Sequence, residues 1–136
     1  MSWRGSLVRI SGYQVEQLRI RLAEVLERKA EAEVKLVLLH AEAEAEARRA
    51  AVHAEAGWYR LGYLEGWRAR RDAANAELAA LNAEETGARD ALAEAFAELK
   101  KYELIEEGAQ ASARRDAARL ETAGMDELGA RKAAAR

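Results

Sequence analysis

The residues of this chain with side chains suited to acid-base, metal or nucleophilic work are His40 and His53, the serines Ser2, Ser6, Ser11 and Ser112, and many carboxylates. The residues three before the two histidines are Val37 and Ala50, so the Glu-x-x-His spacing with which helical bundles hold carboxylate-bridged metals is missing. Both read as helix-surface or seam histidines. No serine stands in a pattern that pairs it with a histidine base. The absence of cysteine removes thiol and disulfide chemistry and fits a reducing compartment. The glycines lack the preceding strand and the Lys-Ser/Thr ending of a phosphate-binding loop. The carboxylates alternate with Arg and Lys along helix faces, as a solvated face requires. The residue types predict no catalytic residue, no metal site and no cofactor, and so not an enzyme.

What remains is contact chemistry, concentrated in one stretch. Gly57-Trp58-Tyr59-Arg60-Leu61-Gly62-Tyr63-Leu64-Glu65-Gly66-Trp67 holds half of the chain's aromatic residues. Tyr59, Tyr63 and Trp67 are four apart, which on a helix makes one slanting row. Two readings stand side by side. The row plugs an alanine-rich seam, or part of it is exposed as an interface anchor, the role that suits Tyr and Trp. Trp67 is placed better for the seam, and Trp58 and Tyr59 for an exposed tip. Gly62 and Gly66 have the small-xxx-small spacing of membrane helix dimers, but Arg60, Glu65 and Arg68 beside them exclude that setting. Close backbone approach or local flexibility is what the spacing leaves.

The elements that must carry these residues are helical. The composition is half hydrophobic and a third charged, with the apolar part dominated by Ala and with no Pro, as in long helices and coiled coils. Apolar or small residues recur in steps of three and four at Val15, Leu18, Leu22, Val25, Ala32, Leu36, Leu39 and Ala43, broken by Lys29. A second stripe runs through Leu64, Trp67, Arg71, Ala74, Leu78, Leu81, Glu85, Ala88, Leu92, Ala95, Leu99 and Tyr102. Two such stripes flanking a glycine-bearing stretch predict an all-α fold, a long antiparallel two-helix coiled coil or helical hairpin in a single domain over 1–136. The expected bounds are helix one over 4–56, a tip over 52–62, helix two over 60–123 and a frayed segment over 124–136. Each arm would reach on the order of 75 Å at 1.5 Å rise per residue. The antiparallel pairing sets Leu36 and Leu39 near Leu81 and Leu78. One continuous helix that dimerises is the alternative. Few large side chains meet in a two-helix seam, which predicts a marginally stable hairpin completed by partners.

A formal net charge of −2 argues against nucleic-acid binding driven by overall charge. The longest apolar run, Leu36-Val37-Leu38-Leu39, is too short for a membrane span, and the start lacks the apolar core of a signal peptide. A soluble cytoplasmic protein is expected.

Ser6-Leu7-Val8-Arg9-Ile10, then Gln17-Leu18-Arg19-Ile20-Arg21-Leu22-Ala23, resembles the start of the FliJ family of flagellar export proteins. Ala91 to Glu103, ending in Lys100-Lys101-Tyr102-Glu103, is similar to that family's second helix, and Met125-Asp126-Glu127-Leu128-Gly129-Ala130-Arg131 resembles its C-terminal signature. The resemblance implies an antiparallel hairpin similar to the rotor stalk of F-type ATP synthases. It implies three partners: the export ATPase hexamer, whose pore receives the terminal half; the cytoplasmic region of the export-gate membrane protein; and escort chaperones of late substrates. Carried over by position, Tyr63 and Trp67 fall where the gate-contacting row begins, with Tyr59 one step before them and Arg70 and Ala74 continuing the face. Leu7, Ile10, Asp126 and Leu128 fall in the ATPase-facing half. No nucleic acid and no direct membrane insertion are implied, and the expected location is cytoplasmic, peripherally associated with the inner membrane at the flagellar base. The equivalent stalk of a virulence secretion system and a generic coiled-coil scaffold or chaperone dimer stay open as alternatives.

Overall fold

A computed structural model of the chain describes residues 2–53 and 57–135. It is all-α: helix α1 spans Trp3–Val52 and helix α2 spans Gly57–Ala134, with no strand among the described residues. The two helices pack against each other as a helical hairpin. Ala, Leu, Glu and Arg, the strongest helix formers, fill both, and no proline interrupts them. Ser2 caps α1: its Oγ accepts the Gly5 N–H at 3.1 Å, satisfying one of the donors that a helix start leaves unpaired. Arg49 stands in the last turn of α1, and Arg131 and Lys132 in the last turn of α2, where their charge offsets the negative end of the helix dipole. Of the expected reversal over 52–62, residues 54–56 lie outside the described residues, while Gly62 is helical.

The chain divides into two units. One comprises Glu16–Ala93. Here the two heptad stripes meet. Val25, Ala32 and Leu39 from α1, and Trp67, Ala74, Leu81 and Ala88 from α2, are buried. Cross-helix ion pairs border this seam: Arg28 with Glu84, Lys35 with Glu77 at 3.6 Å, and Arg70 with Glu42 at 3.1 Å. The two charged residues that interrupt the stripes meet each other, Lys29 Nζ donating to Glu85 Oε1 at 2.8 Å, and Arg89 adds a second bond to Glu85 from one turn on. A polar pair inside an apolar seam fixes register, because sliding either helix strands both charges.

The observed register differs from the one read from the stripes. Leu39 packs with Trp67 and Ala74, with Leu36, Ala43 and Tyr63 against that cluster, and Leu81 shares a groove with Ala32. The helices are thus offset by about one turn from a pairing of Leu36 with Leu81. A slip of that size keeps apolar stripes facing each other, so apolar periodicity alone does not forbid it; the Lys29–Glu85 pair does.

The other unit comprises Met1–Val15 and Glu94–Arg136. Ser11, Val15 and Ala95 are its buried residues. At the start of α1, Ser2 Oγ lies 3.4 Å from Glu106 Oε2, and Arg4 Nε lies 3.5 Å from the same oxygen. After Ala111, every described residue of α2 is exposed. The end of α2 is a single helix within its unit.

Gly62 and Gly66 do not make the close backbone approach that their spacing suggested: a Cβ at either would meet nothing within 4 Å. They face open space, so no helix presses on them. Gly87, inside α2, is equally open. Gly87→Ala is therefore expected to raise unfolding free energy by about 0.5–1 kcal/mol, through lower unfolded-state entropy and better helix propensity. Urea melts followed by circular dichroism at 222 nm check this, and an unchanged or lowered midpoint would contradict the open placement.

Candidate functional site

The aromatic row lies in the Glu16–Ala93 unit, and its residues do not share one environment. Each step of four residues advances about 40° beyond a full turn, so the row winds from solvent into the seam. Tyr59 is 67% exposed, Tyr63 is half-buried and Trp67 is 8% exposed. Trp58, next to Tyr59, is exposed and meets its ring edge-on at 4.8 Å. Farther along, Arg70 is exposed and Ala74 is buried. Trp67 and Ala74, one heptad apart, belong to the seam; Tyr59, Tyr63 and Arg70 form a flank beside it.

Trp67 is held from several directions. Its indole Nε1 donates to the Leu39 carbonyl at 2.7 Å, crossing the seam. The Arg71 guanidinium sits 5.3 Å from the ring centroid and His40 meets the ring edge-on at 5.5 Å. His40 is thus an exposed side chain against an aromatic edge. No group of three or more His, Asp or Glu that could hold a metal ion occurs among the described residues.

On the flank, Arg70 donates two bonds to the Glu42 carboxylate, at 3.1 and 3.2 Å, in the forked geometry that makes Arg–carboxylate pairs directional. The bond from Arg70 holds the Glu42 carboxyl below its ordinary value, and the same bond raises the guanidinium. The Tyr63 hydroxyl is screened from solvent beside this pair and interacts with the Glu42 carboxylate, adding a little to what holds Glu42 low. Burial pushes the Tyr63 pKa up, and the Glu42 charge adds to the shift. Glu85 is also held low, first by the bond from Lys29 and then by the bond from Arg89.

These shifts set a pH dependence. A carboxylate whose folded pKa is depressed contributes stability that is present above its unfolded value, here the ordinary 4.5, and is lost as pH falls through the lower folded value. The hairpin is expected to be more stable at neutral pH than below pH 4.5, and Glu85→Gln is expected to flatten that acid-side decline. Thermal melts across the acid range check this; an acid decline unchanged in Glu85→Gln would remove Glu85 from its cause.

The residues expected to face the ATPase all lie in the other unit, and the fold does not gather them. Leu7 is half-buried, and Ile10, 56% exposed, lines a shallow groove with Ser6, Arg9 and Tyr13. Asp126 and Leu128 are exposed on α2 well past Glu106, the residue that meets the start of α1. At 1.5 Å per residue they stand about 30 Å farther along the helix.

The heptad stripe placed Leu39 in the seam, but periodicity does not show that its carbonyl meets the Trp67 indole or that Glu42 meets Arg70. The Arg70 fork needs Glu42 and the Trp67 indole needs the Leu39 carbonyl, and both follow only from a register fixed across the seam. No helix among the described residues is long and apolar enough to cross a membrane.

Comparison with known proteins bears on what this arrangement serves. No solved structure matches the chain. Residues 5–136 match the family model described as flagellar FliJ protein. Two curated proteins named flagellar FliJ protein, from Caulobacter vibrioides strains NA1000 / CB15N and CB 15, are each 49% identical to it over 132 residues, covering 97% of this chain and 95% of theirs. A match of that extent, in a chain whose two heptad stripes form a helical hairpin, shows that the chain belongs to the flagellar FliJ family.

Proposed function

We propose that this component of flagellar protein export works as a non-enzymatic stalk and adaptor. It links the hexameric export ATPase to the cytoplasmic region of the export-gate membrane protein and assists the handling of escort chaperones, in the cytoplasm at the inner-membrane face of the flagellar base. The observation that carries the reading is the end of α2, where every described residue after Ala111 is exposed up to Ala135. With none of its side chains packed, that stretch rests on helix propensity alone, so it gains order by entering a partner's binding surface. Leu120, Met125 and Leu128 are its exposed large apolar side chains, and an enclosing ring would cover them.

At the gate end, Tyr59, Tyr63 and Arg70 are the docking side chains. The exposure of Tyr59 and Arg70 supports this, since both stand beside the seam where a partner can reach them. Trp67 and Ala74 serve the same surface from below, by holding α2 in register against α1. The flagellar naming of the relatives favours this system over a virulence secretion apparatus. Leu128→Asp, far from the seam residues, tests the ATPase arm. It is expected to abolish co-purification with the export ATPase while leaving binding to the gate's cytoplasmic region intact. Unchanged ATPase binding would sink that arm.

A further inference from the structure

The longest apolar run of the chain, Leu36-Val37-Leu38-Leu39, is only half used by the fold. Leu39 is buried and Leu36 packs against its cluster, but Val37 is 67% exposed and Leu38 63%. Val34 is 57% exposed. It stands two positions from both Ala32 and Leu36, about 200° around the helix from either, so it leaves α1 on the side opposite the seam. Ala30, Ala41 and Ala45 are exposed on that same side. Ala30, Val34, Val37 and Ala41 follow steps of four, three and four, a heptad stripe of their own. From Ala30 to Ala45 the stripe runs about 22 Å within the Glu16–Ala93 unit. The α1–α2 seam makes no use of it, and a contiguous apolar strip on a charged helix marks an interaction surface.

Charge indicates what covers it. Carboxylates border the stripe: Glu27 one heptad before Val34, Glu31 one heptad before Leu38, and on the other side Glu33 and Glu44, four before and seven after Val37. None of the four enters an ion pair among the described residues. The cations nearest them are engaged toward α2: Arg28 with Glu84, Lys29 with Glu85 and Lys35 with Glu77. Glu42 is held by Arg70, and His40 lies against the Trp67 ring. Arg48, which enters no ion pair among the described residues, stands beyond Ala45 at the end of the stripe. The middle of α1 thus presents an apolar stripe in a negative frame. A second copy laid on the same stripe would set acidic border against acidic border, which opposes pairing. A helix with Lys or Arg beside its own apolar stripe matches both features, as flanking charges do in choosing coiled-coil partners.

We infer that the outer face of α1, from Ala30 to Ala45, docks a basic amphipathic helix of a protein partner, about four turns long. Val34, Val37 and Leu38 anchor it, and Glu31, Glu33 and Glu44 pair with its Lys or Arg side chains. The contact uses no residue of the gate or ATPase arms, so each stands or falls without the others.

The test uses the full chain and two fluorescently labelled synthetic peptides of about three heptads, with Leu at the a and d positions and either Lys or Glu at e and g. Titration with the chain is expected to raise the anisotropy of the Lys-flanked peptide to saturation and to leave that of the Glu-flanked peptide unchanged. Val34→Ser with Leu38→Ser is expected to weaken binding about tenfold. Both side chains are exposed, so helical content and affinity for the gate region should not change. Glu31→Gln with Glu33→Gln is expected to weaken binding about fivefold and to reduce its salt dependence. Glu103→Gln with Glu107→Gln, at exposed carboxylates of the other unit, is expected to do neither. No binding of the Lys-flanked peptide, equal binding of the two peptides, or an affinity unchanged by Val34→Ser with Leu38→Ser would overturn the inference. A chain that sediments as a dimer, and as a monomer after Val34→Ser with Leu38→Ser, would overturn it in favour of a second copy.

Discussion

Trp67→Ala is expected to remove about 3–5 kcal/mol of stability, the range for deleting a large buried aromatic whose surroundings relax only in part. For a chain of this size that is a large share of the total, since domains are stable by about 5–15 kcal/mol. The effect is concentrated because the seam around Trp67 has little else to offer. Its cluster contains Leu39 and Ala74, with Leu36, Ala43 and Tyr63 packed against it, and toward the end of α1 the seam narrows to Ala47 and Ala50. Small side chains cannot refill the space that an indole leaves. Trp67→Phe separates the contributions: it keeps most of the apolar volume and loses the bond to the Leu39 carbonyl, for about 1 kcal/mol. Denaturant melts of the two variants give the comparison. A Trp67→Ala midpoint close to that of the native chain would show that this side chain is not what closes the seam.

The second large effect concerns docking. Tyr59→Ala combined with Arg70→Ala is expected to lower affinity for the cytoplasmic region of the export gate by roughly a hundredfold, about 2–3 kcal/mol, the scale of an interface centred on a tyrosine and an arginine. Neither residue is buried, so the hairpin should keep its melting midpoint to within about 1 kcal/mol. That separation is the value of the pair. Tyr63→Ala and Trp67→Ala would confuse docking with folding, because the Trp67 indole is buried and Tyr63 packs against its cluster. Tyr63→Phe is the cleaner companion: it keeps the packed ring and removes only the hydroxyl beside the Arg70–Glu42 fork, so loss of gate affinity without loss of stability would tie that flank to docking. Calorimetric titration with the isolated gate region measures both variants.

The heptad stripes made the seam legible from the sequence. Val25, Ala32 and Leu39, and then Trp67, Ala74, Leu81 and Ala88, recur in steps of seven along those stripes, and the Glu16–Ala93 unit buries them. Register was harder to read. A stripe dominated by Ala and Leu looks much the same after sliding one turn, so pairing Leu36 with Leu81 satisfies apolar periodicity as well as the true offset does. The decisive signal was present, in Lys29 and Glu85, as two interruptions of opposite charge. Treated as flaws in separate stripes they carry no information; treated as partners they fix the offset, since pairing Leu36 with Leu81 would set Lys29 opposite Ala88. With the offset fixed, Glu42 arrives at Arg70 and the Leu39 carbonyl at the Trp67 indole.

The aromatic row shows a different limit. Spacing of four puts Tyr59, Tyr63 and Trp67 on one slanting line, but it cannot say where along that line the seam begins. Burial of Trp67 and exposure of Tyr59 give the answer, with Tyr63 at the boundary. The row is thus seam at Trp67 and exposed at Tyr59, changing from one to the other within two turns. Glycine spacing misled in the same way: Gly62 and Gly66 have the interval of a close helix contact, yet they lie on sides of α2 that meet no neighbour.

In the proposed role one chain holds the ATPase and the gate at once through separate surfaces. The direct measurement immobilises the gate's cytoplasmic region, adds the chain, and then adds the export ATPase while bound mass is recorded. ATPase is expected to be retained only when the chain is present, and Tyr59→Ala with Arg70→Ala, or Leu128→Asp alone, is expected to abolish retention. Displacement of the chain from the gate region by the ATPase, or equal ATPase retention without the chain, would contradict that role.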